Sequence, residues 1–312
     1  MTTTIILQTE NLTKRYGTLT AVKNLSLQVY EGEVFGFLGP NGAGKTTSIN
    51  LMCGLLKPDC GQVLIHGQPV NDHDANIRAR VGVCPQNIVL WNTLTCLEQL
   101  EFIGEMYDVP RKAARQRGEA LLEIMGLADK RDNLARTLSG GMQRRLNLIM
   151  ALVHDPDILV LDEPEAGLDP QSRVLVREYV KSLARQKTII LTTHNMDEAD
   201  RMADRVAIID HGKLLVVDAP EALKRTVGEG DVLEIEVNGV TAERAVAAVT
   251  PIVPEVSTTN HTLVIRARGV VEMLPAILDA LRGTDVCPGE VRLRANTLED
   301  VFISLTGRRL RE

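Results

Sequence analysis

At 312 residues, with 44% hydrophobic and 24% charged side chains, the chain has the composition of a globular protein large enough for one sizeable core and a smaller second one. A net charge of -6 shows no basic excess of the kind that marks nucleic-acid binding, and Cys53, Cys60, Cys84, Cys96 and Cys287 have no close metal spacing and read as reduced cytosolic thiols. No apolar run approaches the roughly 20 residues that span a bilayer, and the start Met1-Thr2-Thr3-Thr4-Ile5-Ile6-Leu7 lacks a long, basic signal segment, so any membrane path is expected in another polypeptide.

The apolar run Val34-Phe35-Gly36-Phe37-Leu38 has strand character, and a helix is expected through Leu51. Between them lies Gly39-Pro40-Asn41-Gly42-Ala43-Gly44-Lys45-Thr46-Thr47, which fits G-x-x-x-x-G-K-[ST] in the strand, loop and helix context the motif needs. The glycines let the backbone curl so that successive N–H groups face phosphate oxygens, with the helix N-terminus behind them. Lys45 is expected to reach the β- and γ-phosphates, Thr46 to offer its hydroxyl to Mg²⁺, and Thr47 to add a phosphate contact.

Further along, Val83-Cys84-Pro85-Gln86 reads locally as a turn. Helical patterns over Leu94 to Met106 and Ala113 to Met125 suggest a helical subdomain over about 87–155. In Leu138-Ser139-Gly140-Gly141-Met142-Gln143-Arg144-Arg145, Ser139 is placed to cap a helix whose apolar positions Leu146, Ile149, Met150 and Val153 recur at helical spacing. Such an N-terminus is an anion receptor.

Ile158-Leu159-Val160-Leu161 reads as a buried parallel strand that delivers Asp162 and Glu163 at its end, where open α/β sheets bind ligands. Asp162 is the expected Mg²⁺ partner and Glu163 the candidate for polarising an attacking water. Pro164-Glu165 follows, and that extra carboxylate has two readings: it raises the pKa of Glu163, or it faces solvent.

After about Pro220 the character changes. Val232 to Val237 alternates like a strand, Ala242 to Val249 reads helical, Val256 and Thr262 to Ala267 suggest two paired strands, Val270 to Leu281 an amphipathic helix, and Glu290 to Leu293 a last strand. The order β-α-β-β-α-β suggests a small α+β, ferredoxin-like unit over 221–312, with dimer contact, regulation or plain packing as its role. Thr297 and Asp300 then cap a closing helix through Leu305.

Taken together and in this order, these residues resemble the nucleotide-binding subunit of ATP-binding-cassette (ABC) transporters over residues 1–220. The resemblance implies an α/β P-loop NTPase fold with a mixed sheet core, binding and hydrolysing ATP with Mg²⁺. It makes Val83 to Gln86 the glutamine loop, with Gln86 touching Mg²⁺ and sensing a membrane partner, and Leu138 to Gln143 the family signature. Ala166-Gly167-Leu168-Asp169 is similar to the loop after the acidic pair, and Thr192-Thr193-His194 to the histidine switch, with His194 near the γ-phosphate. Tyr16, shortly before the first hydrophobic hairpin, sits where the family stacks an aromatic on adenine. Read alone, His194 is one of six histidines and Tyr16 a packing residue.

The resemblance also implies a head-to-tail dimer, made with a second copy or a homologous ATPase. In it the signature, Ser139, Gly140, Gly141 and Met142, faces the γ-phosphate held by the other subunit. A separate integral-membrane permease would dock between Gln86 and Ser139, with Leu90 and Trp91 as contacts, placing the chain at the cytoplasmic face of the membrane with no nucleic-acid partner. Met142 in place of the usual glutamine, and the tail Thr297-Leu298-Glu299-Asp300-Val301-Phe302, resemble exporters of the daunorubicin-resistance and nodulation-factor type. The cargo stays open among drug, antibiotic, lipid and oligosaccharide. Two rivals differ visibly. A soluble ABC ATPase acting on nucleic acid or ribosomes would carry coiled coils, metal-binding cysteines or a second cassette, whereas a nutrient importer would fit neither Met142 nor the tail.

Overall fold

Two long strands, the second with buried residues at the alternating positions Leu25, Leu27 and Val29, begin the chain as a hairpin: β1 (Ile5–Tyr16) and β2 (Leu19–Tyr30) pair antiparallel, with Ile5 opposite Tyr30 and Tyr16 opposite Leu19. Tyr16 therefore stands at the hairpin tip, not ahead of the hairpin. The computed structural model describes residues 4–70, 75–227, 231–238, 242–253, 255–259, 262–284 and 287–307. They divide into two compact units, one up to Ala219 and one from Pro220.

In the first unit, β3 (Val34–Leu38) is followed by α1 (Lys45–Met52), β4 (Cys60–Ile65), β5 (Gln68–Pro69), α2 (Ala75–Ala79) and β6 (Val81–Cys84). Then come α3 (Cys96–Met106), α4 (Arg111–Ile124), α5 (Gly140–Met150), β7 (Ile158–Asp162), α6 (Pro170–Leu183), β8 (Thr188–Thr193), α7 (Met196–Met202), β9 (Arg205–Asp210) and β10 (Lys213–Asp218). One antiparallel sheet runs β2-β1-β4-β5; the other runs β10-β9-β3-β8-β7-β6, parallel except for β10. The fold is thus α/β with a mixed sheet core.

Because side chains alternate across a strand, β7 supplies two cores. Ile158 and Val160 pack with Phe35, Phe37, Ile49 and Val22, while Leu159 and Leu161 pack with Leu97, Leu100, Leu146 and Ile149 of the helices. This is why the strand reads as an unbroken apolar run. Each such Leu contributes about 1.5–3 kcal/mol by leaving water.

The starts of α3, α5, α6 and α7 follow local capping chemistry. The helical pattern read from Leu94 begins at Cys96, because the Thr95 hydroxyl accepts from Glu98 N and the Glu98 carboxylate accepts from Thr95 N. Similarly, α5 ends at Met150, so Val153 is buried beyond the helix rather than on it. Among the described residues, no helix is long and apolar enough to cross a membrane.

The second unit comprises α8 (Pro220–Thr226), β11 (Asp231–Asn238), α9 (Ala242–Val249), β12 (Val256–Thr259), β13 (Thr262–Ala267), α10 (Val270–Arg282), β14 (Cys287–Arg294) and α11 (Leu298–Thr306). Its sheet, β12-β13-β11-β14, is antiparallel throughout, and Leu233, Ile235, Leu263 and Ile265 bury one face against Val249 of α9 and Val270, Ile277 and Leu281 of α10. Thr297 and Asp300 form a reciprocal capping box at the start of α11.

Candidate functional site

The ends of β3, β7 and β8, adjacent in the parallel sheet, meet at one edge of the first unit. From β3 the glycine loop 39–44 curls into α1, with Gly42 at φ +81° and Gly44 at φ +100°, a region that suits glycine. Across this loop lies the Ala21 carbonyl: a Cβ on Gly44 would overlap it, and one on Gly212, in the β9–β10 turn, would come within 2.6 Å. Lys45 is 7% exposed, and its ammonium donates to Gly39 O at 2.7 Å and Pro40 O at 3.1 Å. Burial lowers its pKa, while the Glu163 and Asp162 charges oppose the shift.

Asp162, buried at the end of β7, accepts from the Thr192 hydroxyl of β8 and, at 3.4 Å, from the Thr46 hydroxyl of α1. Glu163 follows with φ +50°. Its Oε1 lies 2.8 Å from His194 Nδ1, and its Oε2 accepts from Gln86 Nε2 at 3.0 Å. Two residues far apart in the sequence, Gln86 77 positions before Glu163 and His194 31 positions after it, therefore converge on one carboxylate. Tyr16, Asn41, Gly42, Gly44, Lys45, Thr46, Thr47, Gln86, Asp162 and Glu163 line one cleft of about 430 Å³. Gly39, Pro40 and Ala43 belong to the turn of the loop behind it, with Ala43 buried. The Thr46 hydroxyl, the Asp162 carboxylate and the Gln86 amide make an all-oxygen donor set whose hardness fits Mg²⁺.

The signature residues are not brought to this cleft. Ser139 caps α5 by accepting from Met142 N at 3.3 Å, and Ser139 and Gly140 are exposed, with Gly141 and Met142 partly so. Asp169 caps α6, accepting from Gln171 N at 3.1 Å and Ser172 N at 3.0 Å.

Glu165 does not take the solvent-facing place that one of its two sequence readings gave it. It is 7% exposed rather than solvent-facing, and both its oxygens accept from Arg177, at 2.9 and 2.7 Å. Nearby, Glu198 of α7 accepts from the Thr193 hydroxyl at 2.6 Å, and its carboxyl is pushed up to about 7 by burial, with the Thr193 bond opposing and the Glu165 charge adding to the rise. Sequence reasoning also missed Arg144, which is buried on α5 with its guanidinium on the carbonyls of Pro85, Gln86, Asp162, Glu163 and Pro164. The one available signal was a second arginine beside Arg145 in a helix whose neighbours are apolar.

A second cleft, of about 500 Å³, runs from Gln86 and Asn87 past Val89, Trp91, Ile103 and Tyr107. Trp91 meets Phe102 edge-on at 5.1 Å and Tyr107 stacks on His154 at 3.9 Å. Trp91 lines this cleft, whereas Leu90 turns inward against the helical core.

The sequence profile of the family described as ABC transporter matches residues 22–166. The chain is 42% identical to a Nod factor export ATP-binding protein I of Ralstonia nicotianae, over 99% of this chain and 96% of that protein. It is 37% identical to a daunorubicin resistance ATP-binding protein of Streptomyces coeruleorubidus, over 96% of each. Among solved structures it is similar to a dimeric ATP-binding cassette in a post-hydrolysis state bound to ADP and Pi, at 28% identity and a TM-score of 0.63, covering 69% of this chain and 98% of that one.

Proposed function

The chain belongs to the ABC transporter family of ATP-binding proteins, and on that premise we propose that it is the ATP-hydrolysing subunit of an exporter whose membrane path is a separate permease. The observation that carries this reading is the Glu163 carboxylate, held between His194 and Gln86 beside the phosphate loop and Lys45.

ATP lies with its phosphates along Gly39 to Thr47 and its base toward Tyr16. Lys45 neutralises the β- and γ-oxygens. Thr46, Asp162 and Gln86 would hold Mg²⁺, which supplies charge neutralisation when bound. Glu163 accepts a proton from the water that attacks the γ-phosphorus in line, the bond to the β–γ bridging oxygen breaks, and ADP and phosphate leave. His194, bonded to Glu163, fixes that carboxylate and faces the γ-phosphate.

Two chains, or this chain and a homologue, associate head to tail so that Ser139, Gly140, Gly141 and Met142 of one cover the γ-phosphate of the other. The exposure of Ser139 and Gly140 away from their own cleft supports this arrangement. The cleft lined by Trp91 and Tyr107 takes the permease, which holds the chain at the cytoplasmic face of the membrane. The relatives are named for Nod factor export and for daunorubicin resistance, and the cargo class of this chain on the same reading is a drug, antibiotic, lipid or oligosaccharide.

Steady-state hydrolysis and sizing in ATP test this directly. Glu163→Gln is expected to cut turnover by about 100-fold or more while producing an ATP-dependent dimer. A mutant that hydrolyses ATP at the wild-type rate would remove Glu163 from the reaction.

A further inference from the structure

Arg144 lies on the second turn of α5, five residues after Ser139, and is 3% exposed. A guanidinium has five N–H groups. Here each has a main-chain carbonyl: Nη1 donates to Pro85 O at 2.6 Å and Gln86 O at 2.9 Å, Nη2 to Asp162 O at 2.6 Å and Glu163 O at 2.7 Å, and Nε to Pro164 O at 3.4 Å. These carbonyls belong to two separate segments, 85–86 and 162–164, whose side chains Gln86 and Glu163 then bond to each other. A lysine could not replace this fork, because its ammonium is a point with three donors.

The backbone at Glu163 explains why such a fork is needed. Its φ of +50° is left-handed, a conformation disfavoured for a residue with a Cβ, and such strain persists only where surrounding bonds over-determine it. Glu163 is gripped on both sides: its N–H donates to Thr192 O at 3.1 Å and to the Thr192 hydroxyl at 3.2 Å, and its carbonyl accepts from Arg144. Removing the carbonyl's partner lets the residue relax toward negative φ, which swings the carboxylate away from His194 and Gln86.

We propose that Arg144 is the positioning residue of the hydrolytic site, holding Glu163 in its left-handed conformation and Gln86 against it. The proposal rests on the reading of Glu163 as the proton acceptor. It acts through Glu163 and touches no substrate, so its signature is a split between turnover and affinity.

The test uses the full chain, with ATP hydrolysis measured in steady state and single turnover, affinity read with a fluorescent ATP analogue, and melting recorded so that assays run on folded protein. Arg144→Met is expected to lower kcat by about tenfold or more while affinity stays within about threefold. Placed in the Glu163→Gln background, the same change is expected to alter the residual rate by less than about twofold, because the group it positions is gone. Arg144→Lys, which keeps the charge, is expected to recover only part of kcat, and it decides the matter if the methionine variant fails to fold. An unchanged kcat in Arg144→Lys, or the same loss in the Glu163→Gln background as in the wild type, overturns the proposal. A Glu163→Gln chain with wild-type turnover overturns the premise instead, and that result is read before any Arg144 variant.

Discussion

In the first unit Arg144 sits among five carbonyls, and Glu163 accepts from a histidine and a glutamine at the wall of a cleft. In the second, Asp300 is enclosed: it accepts from Arg294 at 2.6 and 3.0 Å, from Arg266 at 2.9 Å, and from the Thr297 N–H and hydroxyl at 2.9 and 2.8 Å, while Arg294 also bonds Glu234 at 2.8 Å. Both units bury charge, but the second neutralises it against opposite charge and a helix cap, whereas the first holds acids and a lysine facing an opening. A closed network of the second kind stabilises; an open one of the first kind keeps its groups for a ligand, at a cost in desolvation.

The sharpest way to break this contrast is Lys45→Met. If the charge is kept for phosphates, nucleotide turnover should fall by about 100-fold or more with no fall in melting temperature, because a buried ammonium is costly to the fold. A destabilised, still active variant would make Lys45 a structural group.

Asp300→Ala is the matching change in the second unit, expected to cost about 3 kcal/mol by taking one carboxylate from both Arg266 and Arg294, the latter keeping Glu234, and the cap box from α11. Hydrogen exchange of peptides from β11, β13 and α11 in the full chain would report it. Burial raises the Asp300 pKa, but Arg294 and Thr297 outweigh it and hold the carboxyl well below the usual range. Its contribution is therefore present above the ordinary carboxylate pKa of about 4 and is lost as pH falls below it, so wild type and variant should converge in acid.

The smallest effect sharpens the comparison within the first unit. Glu198 has its pKa raised from 4.5 to about 7, so the charged form is disfavoured by folding, and stability should fall as pH rises between those values. Glu198→Gln should flatten that dependence and raise stability at about pH 8 by about 2–3 kcal/mol, checked by melting at about pH 5 and pH 8. An unchanged pH profile would show that Glu198 does not titrate there.

The phosphate loop, β3, β7 and the helix after Ser139 were legible in the sequence because their signals are local: glycine spacing, an apolar run, a cap. The Thr297–Asp300 box was legible for the same reason. What local pattern could not supply is partnership across the chain. Glu165 finds Arg177 on α6, 12 residues on, and Arg144 reaches carbonyls 59 residues back. Both depend on how β6, β7 and the helices stack, which no window of residues contains. The left-handed backbone at Glu163 was equally hidden, since glutamate carries no preference for it.

The close fit of Ala21 against the phosphate loop has one more implication, for how this protein can vary through mutation. Position 21 meets the loop through its carbonyl, a group that every amino acid brings, whereas Gly44 and Gly212 meet it through the hydrogen that stands where others carry a Cβ. Random substitution should therefore be tolerated lopsidedly: a library at 21 should yield many working chains, and libraries at 44 and 212 should return glycine, so that the surviving variants record the contact from one side only.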